Sequence, residues 1–262
     1  MLRFRSLGSG STGNATLVEA TSGGRRSRLL IDCGFGLKHL DARLARAGLA
    51  ASDIDAVFIT HEHGDHIGCA RALSRRERIP VWMSEGTWLA AGGHDFAGRL
   101  HLARDGIDIE VGDILVQPFT VPHDAREPLQ LRCSDGARHL GILTDLGHAT
   151  PHVLSRLSGL DALLLEFNHD SELLARSAYP PFLKQRVGGN YGHLSNAAAA
   201  AIARALHHGG LHHVLGAHLS EQNNRPDLVR RAMAEALGAS EHEMLTANAS
   251  EGSDWLDLQP SG

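Results

Sequence analysis

Lysine is almost missing from this chain of 262 residues: only Lys38 and Lys184 accompany the arginines that make up its 25 basic residues. With 30 acidic residues the net charge is −5, which does not favour nucleic acid as a partner in the way a basic domain would, though a local basic groove is compatible with it. Aromatic residues amount to 5%, and no stripe interleaves them with basic residues. A stacking platform and sequence-specific recognition of nucleic acid are therefore not expected. The three cysteines, Cys33, Cys69 and Cys133, are odd in number and far apart, without the paired spacing of a zinc site or a disulfide framework, and read as buried thiols. No apolar run approaches the length of a membrane span, and Met1 to Arg5 leads into a glycine-rich turn without a signal-peptide core. A cytoplasmic protein with no membrane partner is expected. No short-period repeat, low-complexity tract or linker divides the chain, so a single domain over 1–262 is the economical reading.

What is present is histidine, 18 in all, and its densest cluster is Thr60-His61-Glu62-His63-Gly64-Asp65-His66. The cluster follows the apolar run Ala56-Val57-Phe58-Ile59, which reads as a buried strand ending where the polar residues begin. In extended backbone, residues i and i+2 project to one side, so His61 and His63 can converge on one ion. Gly64 permits a sharp turn that re-aims Asp65 and His66 at a second ion. This spacing differs from the i, i+4 helical pair of the zinc proteases.

Along the chain, Leu2 to Leu7, Ala15 to Ala20 and Arg28 to Ile31 read as strands, the last ending at Asp32. The loop Gly8 to Asn14 suits either an anion-binding turn or an ordinary tight hairpin. A helix starts at Leu37 and stops at Gly48; another, Ile67 to Arg76, is expected to point its N-terminus at the ligand loop. Strand Ile79 to Met83, a helix from Glu85 to Ala91, and strands between Leu100 and Leu143 follow. Two of these end at candidate ligands: Ile114 to Val121 leads to His123, and His139 to Thr144 to Asp145. The last third alternates: helix Pro151 to Leu157, strand Ala162 to Glu166, a proline-broken segment from Tyr179 to Val187, and helix Ser195 to His207. Strand Val214 to Ala217 then leads to His218, and a helix runs from Pro226 to Leu237.

The ordered set Asp32, His61, His63, Asp65, His66, His123, Asp145 and His218 resembles the metallo-β-lactamase-fold hydrolase superfamily over nearly the whole chain. Within it, Gly8 to Asn14, Leu165 to Asp170, Gly192 to Asn196 and His218 to Asn224 resemble the YycJ/WalJ-like group, related to the tRNase Z and phosphodiesterase branches. The resemblance implies an α/β fold, a four-layer αββα sandwich of mixed sheets with a dinuclear site between the sheet edges. By that likeness His61, His63 and His123 would hold one ion, Asp65, His66 and His218 the other, with Asp145 bridging and Asp32 supporting the loop. Asp145 stands where zinc-dependent lactamases look to cysteine, which argues against lactam hydrolysis. His63 stands where the flavodiiron proteins have glutamate, which argues against redox use of iron.

Two divalent ions would clamp the attacking and leaving oxygens of an in-line displacement at phosphorus, with a bridging hydroxide as nucleophile. Mixed imidazole and carboxylate ligation suits zinc, manganese and iron alike. Asp65 and His193 are assigned to the catalytic groups, His193 as a proton donor or phosphate contact, with Glu166 orienting it by the tRNase Z likeness. His169 is expected at the surface or behind the site, and Lys184 and Arg186 are candidate phosphate contacts. The leading expectation is a nuclease or phosphodiesterase, acting as an exonuclease on DNA or RNA. A hydrolase of a small cyclic phosphodiester or thioester is the alternative, and a non-catalytic metal-binding module the third. Leu173, Leu174, Tyr179 and Phe182 could form an apolar ridge for dimerisation or could cover the core.

Overall fold

Leu2, Phe4 and Ser6 turn inward while Arg3 and Arg5 turn outward, the period-two pattern of a half-buried strand, and Leu2–Gly8 forms β1. The structure, a computed structural model, describes residues 1–258. Strands β2 (Ala15–Ser22) and β3 (Arg25–Ile31) continue antiparallel from β1, joined through Gly23 and Gly24 at φ 55° and 84°, a left-handed pair that matches strand twist in a two-residue hairpin. β4 (Ala56–Phe58), β5 (Val81–Ser84) and β6 (Leu100–Ala103) then add in parallel. Parallel neighbours need crossovers, supplied by α1 (Leu37–Arg46), by α2 (Gly64–Ile67) with α3 (Ala70–Glu77), and by α4 (Glu85–Ala90).

The second half repeats this plan. β7 (Ile109–Val111), β8 (Ile114–Thr120), β9 (Leu129–Ser134) and β10 (His139–Leu143) are antiparallel, and β11 (Ala162–Glu166), β12 (His213–Ala217) and β13 (Leu245–Thr246) follow in parallel. Helices α5 (Pro151–Arg156), α6 (Ser171–Arg176), α7 (Pro181–Val187), α8 (Asn196–Leu206) and α9 (Pro226–Leu237) lie in its connections. A last strand, β14 (Leu256–Asp257), returns to pair with β1. The two seven-stranded sheets run β14-β1-β2-β3-β4-β5-β6 and β13-β12-β11-β10-β9-β8-β7.

Three apolar clusters bind four layers. Phe4, Leu29 and Phe58 of the first sheet meet Val116, Leu131 and Leu164 of the second. Leu17 and Val57 face outward against Leu40, Leu44 and Leu73 of α1 and α3. Leu163 and Leu165 pack outward against Val153, Ala203 and Met233 of α5, α8 and α9. The result is an αββα sandwich, in which one face of each sheet is covered by helices and the other by the opposing sheet.

Two details differ from the sequence reading. The helix expected over Ile67 to Arg76 is two helices, broken at Gly68 (φ 26°), where a side chain would sit 2.4 Å from the Cys33 carbonyl. The segment 171–187 carries two short helices, and α7 buries none of its residues. Of the two roles left open for the apolar residues there, covering the core fits Leu174, which is buried, while Leu173 and Tyr179 are half-buried and Phe182 is exposed. All three cysteines are buried and free.

Candidate metal centre

The candidate ligands gather because strands of both sheets end along one edge. Asp32 follows β3, the His61 to His66 loop follows β4, and Glu166 closes β11. His123, Asp145 and His218 lie within three residues of the ends of β8, β10 and β12. Asp32, Asp145 and His218 take left-handed backbone at φ 59°, 55° and 56°, turning the chain sharply as each strand ends.

His61 Nε2 lies 3.0 Å from His63 Nδ1, which lies 3.3 Å from His123 Nε2. Asp65, His66 and His218 form a second group, and Asp145 reaches both. His66 Nε2 is 3.3 Å from Asp145 Oδ2, and His218 Nε2 is 3.5 Å from Asp145 Oδ1. The structure thus brings together every ligand expected from sequence.

The far side of each ring fixes its tautomer. Asp32 can only accept, so the single hydroxyl proton of Thr60 goes to it (Oγ1 to Oδ2, 2.9 Å), and Thr60 Oγ1 accepts from His61 Nδ1 at 3.0 Å. His66 Nδ1 donates to Asp32 Oδ2 at 2.8 Å, His123 Nδ1 to the Gly192 carbonyl at 3.1 Å, and His218 Nδ1 to Glu166 Oε1 at 3.1 Å. Four imidazoles therefore aim Nε2 inward, while His63 aims Nδ1. Such outward hydrogen bonds are what holds metal-ligating histidines in place.

The centre also carries an unmet demand for a cation. His218 Nε2 and Asp145 Oδ2 are buried without a hydrogen-bond partner, within reach only of the other candidate ligands. Burial pushes His66 and His218 down, but Asp145 reverses this and holds both above the usual histidine range, His218 at about 10. The field that retains protons there equally attracts divalent ions. Burial also lowers His61 and His123, keeping those rings neutral and able to donate a lone pair. The donor set fits two metal ions.

Behind the second group, Glu166 is wholly buried and accepts from four donors: His193 Nδ1 (2.7 Å) and His218 Nδ1 (3.1 Å) on Oε1, and the amides of Leu194 (3.0 Å) and Leu146 (3.4 Å) on Oε2. Burial pushes its carboxyl up, but His193 and His218 outweigh this and hold it at about 2. His193 is pushed down by burial and returned above its usual range by Glu166. Although Asp145, Glu166, His193 and His218 cluster closely enough to hold an ion, the nitrogens nearest Glu166 are those already donating to it. We read this group as a hydrogen-bonded support.

A cleft of about 330 Å³ opens onto the centre, lined by Ser11, Asp65, Asp124, Leu183, Arg186 and His193 among others. Arg186 donates to Asp124 Oδ2 at 2.6 Å. Lys184 does not line the cleft; its ammonium donates to the Ala175 carbonyl at 2.6 Å, because it points off the opposite side of α7. His169 is buried, its Nδ1 unpartnered, near Gly188 rather than on the surface.

Sequence reading overlooked several partners. Asn14 donates its amide to Asp65 Oδ2 (3.3 Å) and lies 3.1 Å from His66 Nε2, and its backbone N–H donates to the Asp65 carbonyl (2.8 Å). The glycine-rich loop thus braces the metal loop and is not a free anion nest. Ser9 Oγ accepts from the His218 amide at 2.8 Å, and Asp124 Oδ1 lies 3.4 Å from His123 Nε2. Only the glycines around Asn14 hinted that this loop packs closely against something.

A model of the beta-lactamase superfamily domain matches residues 27–216. YycJ of Bacillus anthracis, named an exodeoxyribonuclease, is 34% identical over 241 residues, covering 90% of this chain and 89% of its own. The chain belongs to the metallo-β-lactamase superfamily. Within that superfamily it falls in the YycJ and WalJ group, as a metal-dependent hydrolase. WalJ of Streptococcus pneumoniae, also named an exodeoxyribonuclease, is 33% identical over 245 residues, 91% of this chain and 89% of its own. Among solved structures, the metallo-beta-lactamase fold protein YhfI of Bacillus subtilis superposes with a TM-score of 0.74 at 18% identity, covering 98% of this chain and 100% of that one. That likeness carries the superfamily's fold alone.

Proposed function

We propose that this metallo-β-lactamase-fold hydrolase is a nuclease that removes nucleotides from DNA ends. The observation that carries the reading is the likeness, over about nine-tenths of the chain, to two proteins named exodeoxyribonucleases, joined to a centre whose His and Asp side chains form two ligand groups that meet at Asp145. His61, His63 and His123 would hold one ion, Asp65, His66 and His218 the other, and Asp145 would lie between them, with zinc or manganese as the metals. Such a pair activates water and neutralises charge developing on the phosphate oxygens.

The chain's own groups supply the rest. Asp32 and Thr60 lock His61 and His66 in the lone-pair-inward tautomer. Asp145 and Asp65 supply the negative charge that draws in cations. Glu166 accepts from His193 Nδ1 and so orients the ring, leaving the other ring nitrogen free to hydrogen-bond a phosphate oxygen or pass a proton to the leaving alkoxide. Arg186, on the cleft wall and already charge-paired, can trade Asp124 for a substrate phosphate. Three free, buried thiols suit a reducing compartment, and the proposal places the enzyme in the cytoplasm.

An end-labelled oligonucleotide, incubated with the purified protein and zinc or manganese beside Asp145→Ala, tests the reading. Metal-dependent release of nucleotides from one end, absent in the variant, is the expected result. Turnover of only bis-p-nitrophenyl phosphate or only a thioester would overturn it in favour of a small-substrate hydrolase. Survival of the cellular role in Asp145→Ala would point to a non-catalytic module.

A further inference from the structure

A second cavity opens on the other side of the metal loop. It holds about 330 Å³ and is lined by Glu62, Ile67, Gly68, Arg71, Trp88 and Phe96 among others, with no residue shared with the cleft over the centre. Glu62 stands between His61 and His63, and Ile67 and Gly68 follow His66, so one wall of the cavity is the metal loop itself. The other walls come from the first turn of α3, from α4 and from the turn after α4.

Three of these side chains are each anchored once and otherwise unused. Glu62 Oε1 accepts from the Arg126 amide at 2.8 Å, while Oε2 is buried with no hydrogen-bond partner. Arg71 donates through Nε to the Asp95 carbonyl at 3.1 Å, and among the described residues its two Nη groups are uncommitted. The Trp88 indole N–H donates to the His94 carbonyl at 3.0 Å, which fixes a half-buried ring on the cavity wall, and the buried Phe96 adds a second apolar surface. A buried carboxylate oxygen without a donor is rare in a folded chain. The anchors set an acceptor, a pair of donors and an aromatic face in place before any ligand arrives, as in a preformed small-molecule site.

We propose that this cavity binds the guanine ring of a free nucleoside or nucleotide, at a site separate from the metal centre. Guanine turns two adjacent donors, N1–H and the N2 amino group, toward a carboxylate, and two adjacent acceptors, O6 and N7, toward an arginine. Its π-face suits a tryptophan. Adenine carries an amino group where guanine has O6, so it would turn a donor toward Arg71. Thymine matches both charges but has a single donor for Glu62. A carboxylate among aromatic rings also suits an aliphatic cation, but Arg71 in the same cavity opposes a second positive charge. None of the groups invoked is a metal ligand, so the inference stands apart from the nuclease reading. Occupancy would tie Glu62, and with it the loop that carries His61 and His63, to α3.

The test is isothermal titration of the metal-loaded protein with deoxyguanosine, deoxyadenosine, deoxycytidine and thymidine, which lack the phosphate that a metal centre would bind. Deoxyguanosine is expected to bind tightest, by about five- to 100-fold over deoxyadenosine, with deoxyinosine, which lacks the N2 amino group, between them. Glu62→Gln and Arg71→Met should each weaken deoxyguanosine binding by about five- to 100-fold. Arg71→Met, which leaves the metal loop intact, keeps the test open if Glu62→Gln loses metal. Trp88→Phe retains an aromatic face and should still bind, while losing the tryptophan quenching that the parent shows. No binding of any nucleoside, equal binding of all four, or unchanged affinity in both Glu62→Gln and Arg71→Met overturns the proposal. So does binding of spermidine in place of deoxyguanosine, which would make the cavity a cation site. Displacement of deoxyguanosine by cleavage-resistant phosphorothioate DNA only when that DNA contains guanine would assign the ring to a bound nucleic acid and overturn the free ligand.

Discussion

Glu166→Gln is the most informative single change, because it preserves shape and removes one charge. In the parent both carboxylate oxygens accept, and all four groups facing them are donors. An amide puts an NH2 on one side. Toward His193 and His218 it opposes two ring N–H groups, and toward Leu194 and Leu146 two backbone amides. Relief in the first case requires His218 to move its proton to Nε2, the atom that would hold the second ion. The fall of the Glu166 pKa from its model-peptide value near 4.5 to about 2 corresponds to a stabilisation on the order of 3 kcal/mol for this fully buried group. Because the folded value is depressed, that contribution is present above about pH 4.5 and is lost as the pH falls through about 2. The metal-stripped variant should therefore melt roughly 6–12 °C below the parent at pH 7, a gap that closes toward pH 2. Loss of an orienting partner also weakens metal affinity by about 10- to 100-fold. That loss should fall on one ion, since Glu166 touches no member of the His61, His63, His123 group. Competition with a chelating dye, read as metal stoichiometry, separates one loosened ion from two. Equal affinity at both sites together with an unchanged melt would refute the assignment of Glu166 as the support of His218 and His193.

Other perturbations divide the centre differently. Asp32→Ala removes the acceptor of Thr60 and His66, so it should weaken both ions by about 10- to 100-fold each, measured by the same competition. Gly34→Ala places a methyl 1.7 Å from the Asp65 carbonyl; denaturant unfolding should show a loss at or beyond the upper end of about 1–3 kcal/mol, with metal retention impaired. Arg186→Ala should raise KM for an oligonucleotide more than it lowers kcat, and make KM less sensitive to salt, since one phosphate contact is lost.

The parts of the molecule that bury an apolar face could be read in advance. Strand Ala162–Glu166 is buried throughout, and helix Pro226–Leu237 begins with proline and ends at Gly238 with φ 65°, so both show in pattern and punctuation. Helix α7 carries the same punctuation, Pro181 at its start and Gly188 after its end, but no inward apolar stripe, because it buries nothing and its apolar residues face a cleft or water. The break at Gly68 was hidden for another reason. It is set by close approach to Cys33, far away in sequence, and a helical period runs on across it. At the centre, histidine and aspartate types at strand ends announced themselves. Asn14, Ser9 and Thr60 did not, since an amide or hydroxyl bracing a ligand looks in sequence like any turn residue.

The division of the centre between two sheets bears on how the protein comes to be made. His61, His63, Asp65 and His66 follow a strand of the first sheet, and His123, Asp145 and His218 follow strands of the second. Each three-residue group takes two members from the first sheet's edge and one from the second's. A chain still emerging from the ribosome therefore carries no complete site until strand β12 has been added and the two halves have closed on each other. In the proposed nuclease, hydrolysis is thereby withheld through most of the chain's own synthesis, and a fragment that lacks either sheet carries no complete site.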